Sequence, residues 1–268
     1  MWALETRLKH AAADKARTMD SFPHIEPITP VPLPTHVDSP ALPADSAYLH
    51  SLFRRFLQRL FVKDRGCLVK WLHWRLRGKI VVSTCCSGTD CPLLAWRAFS
   101  DVLREDLDCH LQVDHGFSSE INEGKRRFLK DMYPELPLLF EDTRELGQAT
   151  ARDWVTGGDQ PVTMCDNFAG GFPCTTASSL NPRSSSVENR TSVLNGELAT
   201  GSVFRGVAEY ISNGAKQLSF VLLENVCALA FKPKINGVTQ GPSNLDAVVQ
   251  ILSQAEGRQC IEEGDRHG

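Results

Sequence analysis

From Lys79 onward the sequence alternates short apolar runs with helix-patterned segments, and this alternation restricts the chain more than any other feature. Strands separated by amphipathic helices build βαβ crossovers, which give a parallel sheet with helices on both faces. The spacing predicts strands at 80–83, 115–119, 138–140, 164–168 and 220–223, and helices at 92–103, 122–133, 204–214 and 244–255. The expected fold class is α/β: a doubly wound, Rossmann-like, mostly parallel sheet, truncated after its fifth strand and preceded by a helical extension.

Five segments are expected. Residues 1–20 have helical spacing, and 21–45 form a linker holding seven of the fifteen prolines, too many for a helix or a central strand. Residues 46–78 form a basic helical segment, with Ser46 as the cap of a helix running to about Lys63. The α/β domain follows over 79–256, and 257–268 is a polar tail.

With 42% hydrophobic and 23% charged residues, the 268-residue chain has the composition of a globular protein, which excludes disorder throughout. Its longest apolar runs fall far short of a membrane span, so no membrane partner is expected. The amino terminus lacks the uninterrupted apolar stretch of a secretory signal, and the expected location is intracellular, in the nucleus for a eukaryotic source. Nine cysteines, an odd number with no CxxC pair, suggest neither a disulfide framework nor a metal site. Residues 54–79 hold nine Lys and Arg against Asp64 alone, while the net charge of the whole chain is −3. That imbalance points to an acidic partner or to the solvated face of a helix. Trp71 and Trp74 within it are expected to anchor the segment to a core.

The first strand ends in Ser83-Thr84-Cys85-Cys86-Ser87-Gly88-Thr89-Asp90 and enters a helix, so small residues let a ligand approach backbone amides at a helix N-terminus. Glu120 follows the second strand and Asp142 the third, where carboxylates can accept bonds from ribose hydroxyls and an adenine amino group. Each would serve equally as a helix cap, and Asp114 competes with Glu120. The distance from Gly88 to Glu120 exceeds the spacing of the dinucleotide fingerprint, which argues against NAD but not against another adenosyl ligand. After the fourth strand, Gly170-Gly171-Phe172-Pro173-Cys174 makes a tight turn that presents one thiol at the carboxyl end of the sheet. After the fifth, Glu224-Asn225-Val226 places a carboxylate at the same end. A thiol and an acid are thus expected to converge on one crevice.

With Gly-Gly-Phe-Pro-Cys at 170–174 and Glu-Asn-Val at 224–226 on consecutive predicted strands, the sequence resembles the S-adenosylmethionine-dependent cytosine-5 DNA methyltransferases over about 79–231. The resemblance implies S-adenosylmethionine as cofactor and DNA as partner, with RNA as the alternative polymer and a catalytically silent binding module as the alternative function. It assigns Cys174 as the nucleophile that adds to C6 of cytosine, Glu224 as the acid at N3, Asn225 as a brace for the cysteine loop, and Pro173 as part of the catalytic turn. Cys86, Ser87, Gly88, Thr89, Glu120 and Asp142 would line the cofactor pocket, and Asp166 would hold the cofactor side of the loop.

Because the target base must leave its stack, residues 175–201 are expected to form a mobile lid, with Arg183 and Arg190 available to phosphates. The chain departs from the family in having Thr175 where Gln is usual and Asp90 where a second glycine is typical. It has no Gln-x-Arg-x-Arg segment and no recognition region. The expectation is a shortened methyltransferase, or one needing a second chain over the fifth-strand edge.

Overall fold

The computed structural model describes residues 46–60, 62–235 and 238–264. The helix and linker expected over 1–45 lie outside them. Five strands form one sheet: β1 (Lys79–Cys85), β2 (Gln112–Ser119), β3 (Leu139–Phe140), β6 (Asn167–Gly170) and β7 (Phe220–Leu223). Their order is β3-β2-β1-β6-β7, and every neighbouring pair is parallel. The chain winds outward from β1 to β3, then crosses back and continues on the other side of β1. This is the doubly wound arrangement, with its switch point between β1 and β6.

Period-two alternation sorts the strand side chains to two faces. Ile80 and Val82 point into one core, which they share with Leu57 of α1 (Ser46–Arg59), Leu72 and Leu76 of α2 (Val62–Leu76), Leu93 and Val102 of α3 (Cys91–Leu107), and Leu129 of α4 (Glu123–Met132). On the opposite face Phe117, Phe140 and Phe168 pack with Val207, Tyr210 and Ile211. The last three belong to α7 (Leu198–Gly214), which follows two short helices, α5 (Val187–Arg190) and α6 (Ser192–Asn195). Phe168 lies 4.5 Å from the Tyr210 ring with no exposed surface, a burial worth roughly 2–3 kcal/mol.

The basic segment therefore packs on the sheet through its apolar side. Trp71 meets Phe220 edge-on at 5.2 Å, as expected of an anchor. Trp74 does not bury: it is 69% exposed, because it falls on the outer face of α2. α2 ends at Leu76, and Arg77 and Gly78 turn the chain at positive φ into β1. β7 is an edge strand, with Phe220 covered by Trp71 and Trp96, while Leu222, two residues further along the same face, runs beyond that cover and is 59% exposed.

Two antiparallel hairpins were not foreseen: β4 (Thr150–Arg152) with β5 (Asp159–Pro161), and β8 (Lys234–Ile235) with β9 (Val238–Thr239). The final helix, α8, spans Asn244–Gly264, so the expected tail at 257–268 is helical as far as 264. Among the described residues no helix is long and apolar enough to cross a membrane.

Candidate functional site at the switch point

The carboxyl ends of β1, β6 and β7 open into a crevice of about 340 Å³. Its walls are Thr84 to Ser87, Cys91 and Pro92 on one side, and Ala169 to Gly171, Leu222 and Glu224 on the other. An open α/β sheet builds its ligand sites at this location, because β1 and β6 send their helices to opposite faces and leave a gap.

The turn after β1 reverses sharply, with Cys86 at φ 48°, Gly88 at φ 58° and Asp90 at φ 60°. Ser87 ties it to β2: its amide and hydroxyl donate to Ser119 O, and its hydroxyl accepts from Ser119 N at 3.1 Å. Glu120, almost fully buried, accepts from Gly88 N at 3.1 Å through one carboxylate oxygen and from Asn122 N at 2.9 Å through the other. Each oxygen keeps lone-pair capacity for a further donor. This places Glu120, not Asp114, beside the turn. Asp114 instead pairs with Lys79 at 2.6 Å near the start of β2.

Asp90 shows why glycine is usual at its position: the turn demands a left-handed backbone, which Asp tolerates better than most residues. Its carboxylate makes no cap bond to α3. It turns inward and accepts from Ser118 Oγ and from His115 Nε2 at 3.2 Å, with no exposure. Thr89 is exposed; its carbonyl accepts from Tyr133 OH, and its hydroxyl lies 3.1 Å from Cys91 Sγ.

On the β6 side, a methyl group on Gly170 would fall 2.2 Å from Cys85 Sγ, and one on Gly171 would fall 2.9 Å from Glu224 Oε2. The glycine pair thus lets β6 close on the first strand and brings the Glu224 carboxylate against the loop. Pro173 and Cys174 follow, both half-buried, and Cys174 O accepts from Ala177 N and Ser178 N, starting a turn. Phe172 is buried against Phe204, which anchors the loop. Asn225 Nδ2 donates to Phe172 O at 2.8 Å and Asn225 Oδ1 accepts from Val226 N, so Asn225 fastens the cysteine loop to the end of β7.

Three expected placements need correction. Asp166 is not at the crevice: it precedes the amino end of β6, and its carboxylate accepts from Val81 N at 2.8 Å, stapling the sheet. Residues 175–201 are not a free lid, because Thr176 bonds Ser192 and Thr200, and Asn244 of α8 accepts from Val193 N and donates to Asn189 O. Arg190 is buried, donates to Ala228 O and stacks on Phe231, so it does not face phosphates; Arg183 remains exposed.

Asp142 caps a 3-10 turn at Thr143–Glu145 and also pairs with Arg144 at 2.5 Å. Burial pushes its carboxyl up, but the Arg144 side chain and amide outweigh that and hold it below the usual carboxylate range. The hydrogen bond between Cys85 and Cys86, together with burial, raises the Cys85 thiol. The same bond lowers Cys86 against its burial, and Thr143 adds to the lowering. Cys91, Pro92 and Leu222 also line the crevice and were not singled out from sequence. Only Cys91 carried a signal, as a thiol one residue beyond the small-residue turn.

The strand order and its crevice define a doubly wound, Rossmann-like α/β class. Within that class the sequence is 32% identical over 180 residues to the DNA (cytosine-5-)-methyltransferase DMT5 of Cryptococcus neoformans, covering 67% of this chain and 7% of that protein. It is 31% identical over 107 residues to DMT5 of Verticillium dahliae, covering 38% of this chain and 4% of that protein. This similarity supports the cytosine-5 DNA methyltransferase family for the segment, which spans under a tenth of the length of either relative. No family model matches. Among solved structures, Streptomyces venezuelae DesVI overlaps 68% of this chain and 58% of its own at 10% identity and a TM-score of 0.28, and the fold class rests on the strand order instead.

Proposed function

We propose that this domain methylates C5 of cytosine in DNA, with S-adenosylmethionine as methyl donor and Cys174 as the covalent nucleophile. The observation that carries the reading is the crevice at the strand ends: Glu224 and the glycine pair form one wall, with Cys174 three residues beyond Gly171 and outside the lining, and the Ser87 turn beside Glu120 forms the other. The residues present suit an adenosyl ligand. The cavity is of small-ligand size, and a buried carboxylate at the end of β2 retains acceptor capacity for ribose hydroxyls. Thr84 and Ser87 add hydroxyls to the floor. When bound, S-adenosylmethionine supplies an electrophilic methyl group.

The chain's own residues prepare the base to accept it. C5 of cytosine is a weak nucleophile until a thiolate adds at C6, and Cys174 supplies that sulfur from the end of the β6 loop. Glu224 holds N3, relieving charge on the ring and reading the exocyclic amine. Asn225 keeps the loop in place through Phe172 O. After transfer water takes the C5 proton, the electron pair left behind restores the C5–C6 double bond, and Cys174 leaves C6 as a thiolate.

Trapping with oligonucleotides containing 5-fluorocytosine tests the reading, since fluorine at C5 cannot leave as a proton does. A stable adduct at Cys174 is expected with DNA and none with RNA or with Cys174→Ser. An adduct with RNA alone would transfer the activity to that polymer. No adduct with either would leave a binding module.

A further inference from the structure

Gly66, Cys67, Lys70, His73, Trp74 and Arg77 are all exposed, whereas the residues between them, from Leu68 to Leu76, are buried or half-buried. Steps of three and four residues put the exposed six on one side of α2, with Arg77 just past its last turn. Asp64, the one acid of α2, is half-buried and lies off that side. The basic residues of the segment divide by what they meet. Arg54 of α1 is spent on Glu105 and Asp106, Lys79 pairs with Asp114, and Arg65 donates to Leu60 O and Gln58 O. Among the described residues no ion pair holds Lys70 or Arg77, and between these two cations stands an indole that is 69% exposed. Gly66 is a separate mark of an occupant. Glycine inside a helix costs stability relative to alanine, and neither packing nor backbone asks for it here: a methyl group on Gly66 would meet nothing within 4 Å, and its φ is not positive. It leaves a flat place one turn from Lys70, where another backbone can come close.

We propose that this face of α2 is a second nucleic-acid contact, which holds the sugar-phosphate backbone of duplex DNA whatever its base sequence. It rests on DNA as the polymer in the reading above, and not on the methyl-transfer chemistry. Residues 54–79 hold nine Lys and Arg against Asp64 alone while the whole chain stands at −3, so the remainder repels a polyanion and this region attracts it. Lys70 and Arg77 each neutralise a phosphate. Trp74 lays its apolar ring on a deoxyribose and has an N–H to donate to a phosphate oxygen. Gly66 lets the strand lie against the helix. The contact is separate from the crevice. Trp71 of α2 rests on Phe220, the first residue of β7, and Gly78 lies beside His110 just ahead of β2, so the carboxyl half of α2 is at the amino ends of the strands. The crevice is at their carboxyl ends, about 20 Å away along the seven residues of β1. The face therefore grips a stretch of duplex other than the one whose cytosine enters the crevice.

The test uses the whole chain and a short duplex made only of A·T pairs, which offers the crevice no cytosine. Fluorescence anisotropy across a salt series gives the slope of affinity. Lys70→Gln and Arg77→Gln are each expected to reduce that slope by about 0.9, and Arg75→Gln, on the half-buried side of the same helix, to leave it at the parental value, all three melting with the parent. Cys67 supplies a check that needs no substitution. N-ethylmaleimide should label this exposed thiol several-fold more slowly when the duplex is present, while Cys91, exposed at the crevice, keeps its rate. An equal loss of slope in Arg75→Gln, a Cys67 that the duplex leaves unshielded, or displacement of the duplex by polyglutamate at the same charge concentration overturns the proposal. A Cys174 adduct on 5-fluorocytosine DNA together with an unshielded Cys67 removes this contact and leaves the methyl-transfer reading standing. Shielding of Cys67 with no adduct does the reverse.

Discussion

Asp90 Oδ2 lies 3.2 Å from His115 Nε2, with both side chains closed off from solvent. Ser118 Oγ completes a triangle, 2.8 Å from the same ring nitrogen and donating to the same carboxylate oxygen. The group is no hydrolytic triad, since aspartate and serine meet one nitrogen and Nδ1 has no partner. It anchors the turn after β1. A buried carboxylate that loses its partner keeps its desolvation cost, so His115→Ala is expected to lower the unfolding free energy by about 3 kcal/mol. His115→Gln, which retains an N–H donor, should recover part of that. Urea denaturation reads both, and an alanine variant as stable as the parent would remove the triangle as an anchor.

Gly170 admits no side chain. An added methyl group would meet Cys85 Sγ at 2.2 Å and Cys85 O at 2.9 Å. Gly170→Ala is expected to cost about 1–3 kcal/mol through overpacking and to weaken S-adenosylhomocysteine binding, because the crevice wall shifts with the strand. Adding Cys85→Ala should relieve the sulfur clash but not the carbonyl one, leaving the double variant between the single variant and the parent in melting temperature.

Arg190 and Arg183 should separate cleanly on DNA. Arg190 is spent on Ala228 O and Phe231, so Arg190→Ala is expected to lower the melting temperature and leave the salt slope of DNA affinity unchanged. A residue that neutralises a phosphate contributes about 0.9 to that slope, measurable by fluorescence anisotropy from low to moderate salt. A flattened slope in Arg190→Ala at parental stability would mean that the side chain leaves its pocket on binding.

Asp142 carries a pH dependence of known sign. Its folded carboxyl titrates below the unfolded one, so its stabilising contribution is present above the unfolded value, about 3.9, and is lost as the pH falls through the folded value. The stability difference between the parent and Asp142→Asn should be constant above about pH 5 and shrink below about pH 4. Thermal melts across that range check it; a gap that widens on acidification would reverse the sign.

Much of the sheet was legible because its strands are apolar runs of the right length. The fifth strand falls at 220–223 as expected, and the fourth is displaced toward the glycine pair, to Asn167–Gly170. The crevice was legible for the same reason, since ligand sites lie where such strands end. Asp166 misled because the apolar pattern sets the fourth strand at 164–168 with Asp166 inside it, whereas β6 begins at Asn167 and leaves Asp166 at the amino end, away from the crevice. The 175–201 segment misled because its polar residues satisfy one another across the fold: Asn244 reaches it from more than 40 residues away, and composition alone reads such residues as solvated. Asp159 and Pro161 of the β4–β5 hairpin have no strand preference of their own and pair because Thr150–Arg152 lies opposite them.

The placement of β1 at the centre of the sheet has a consequence for synthesis. One of its flanks is closed within some thirty residues by β2, but the other waits for β6, and the staple between Val81 and Asp166 spans 85 residues. At the usual pace of a ribosome that separation corresponds to roughly 4–17 seconds, during which Ile80 to Cys85 leave the tunnel with one row of amides and carbonyls unmatched. A nascent chain in that interval is at its stickiest, and whatever shields this strand then decides how much of the protein reaches the folded state.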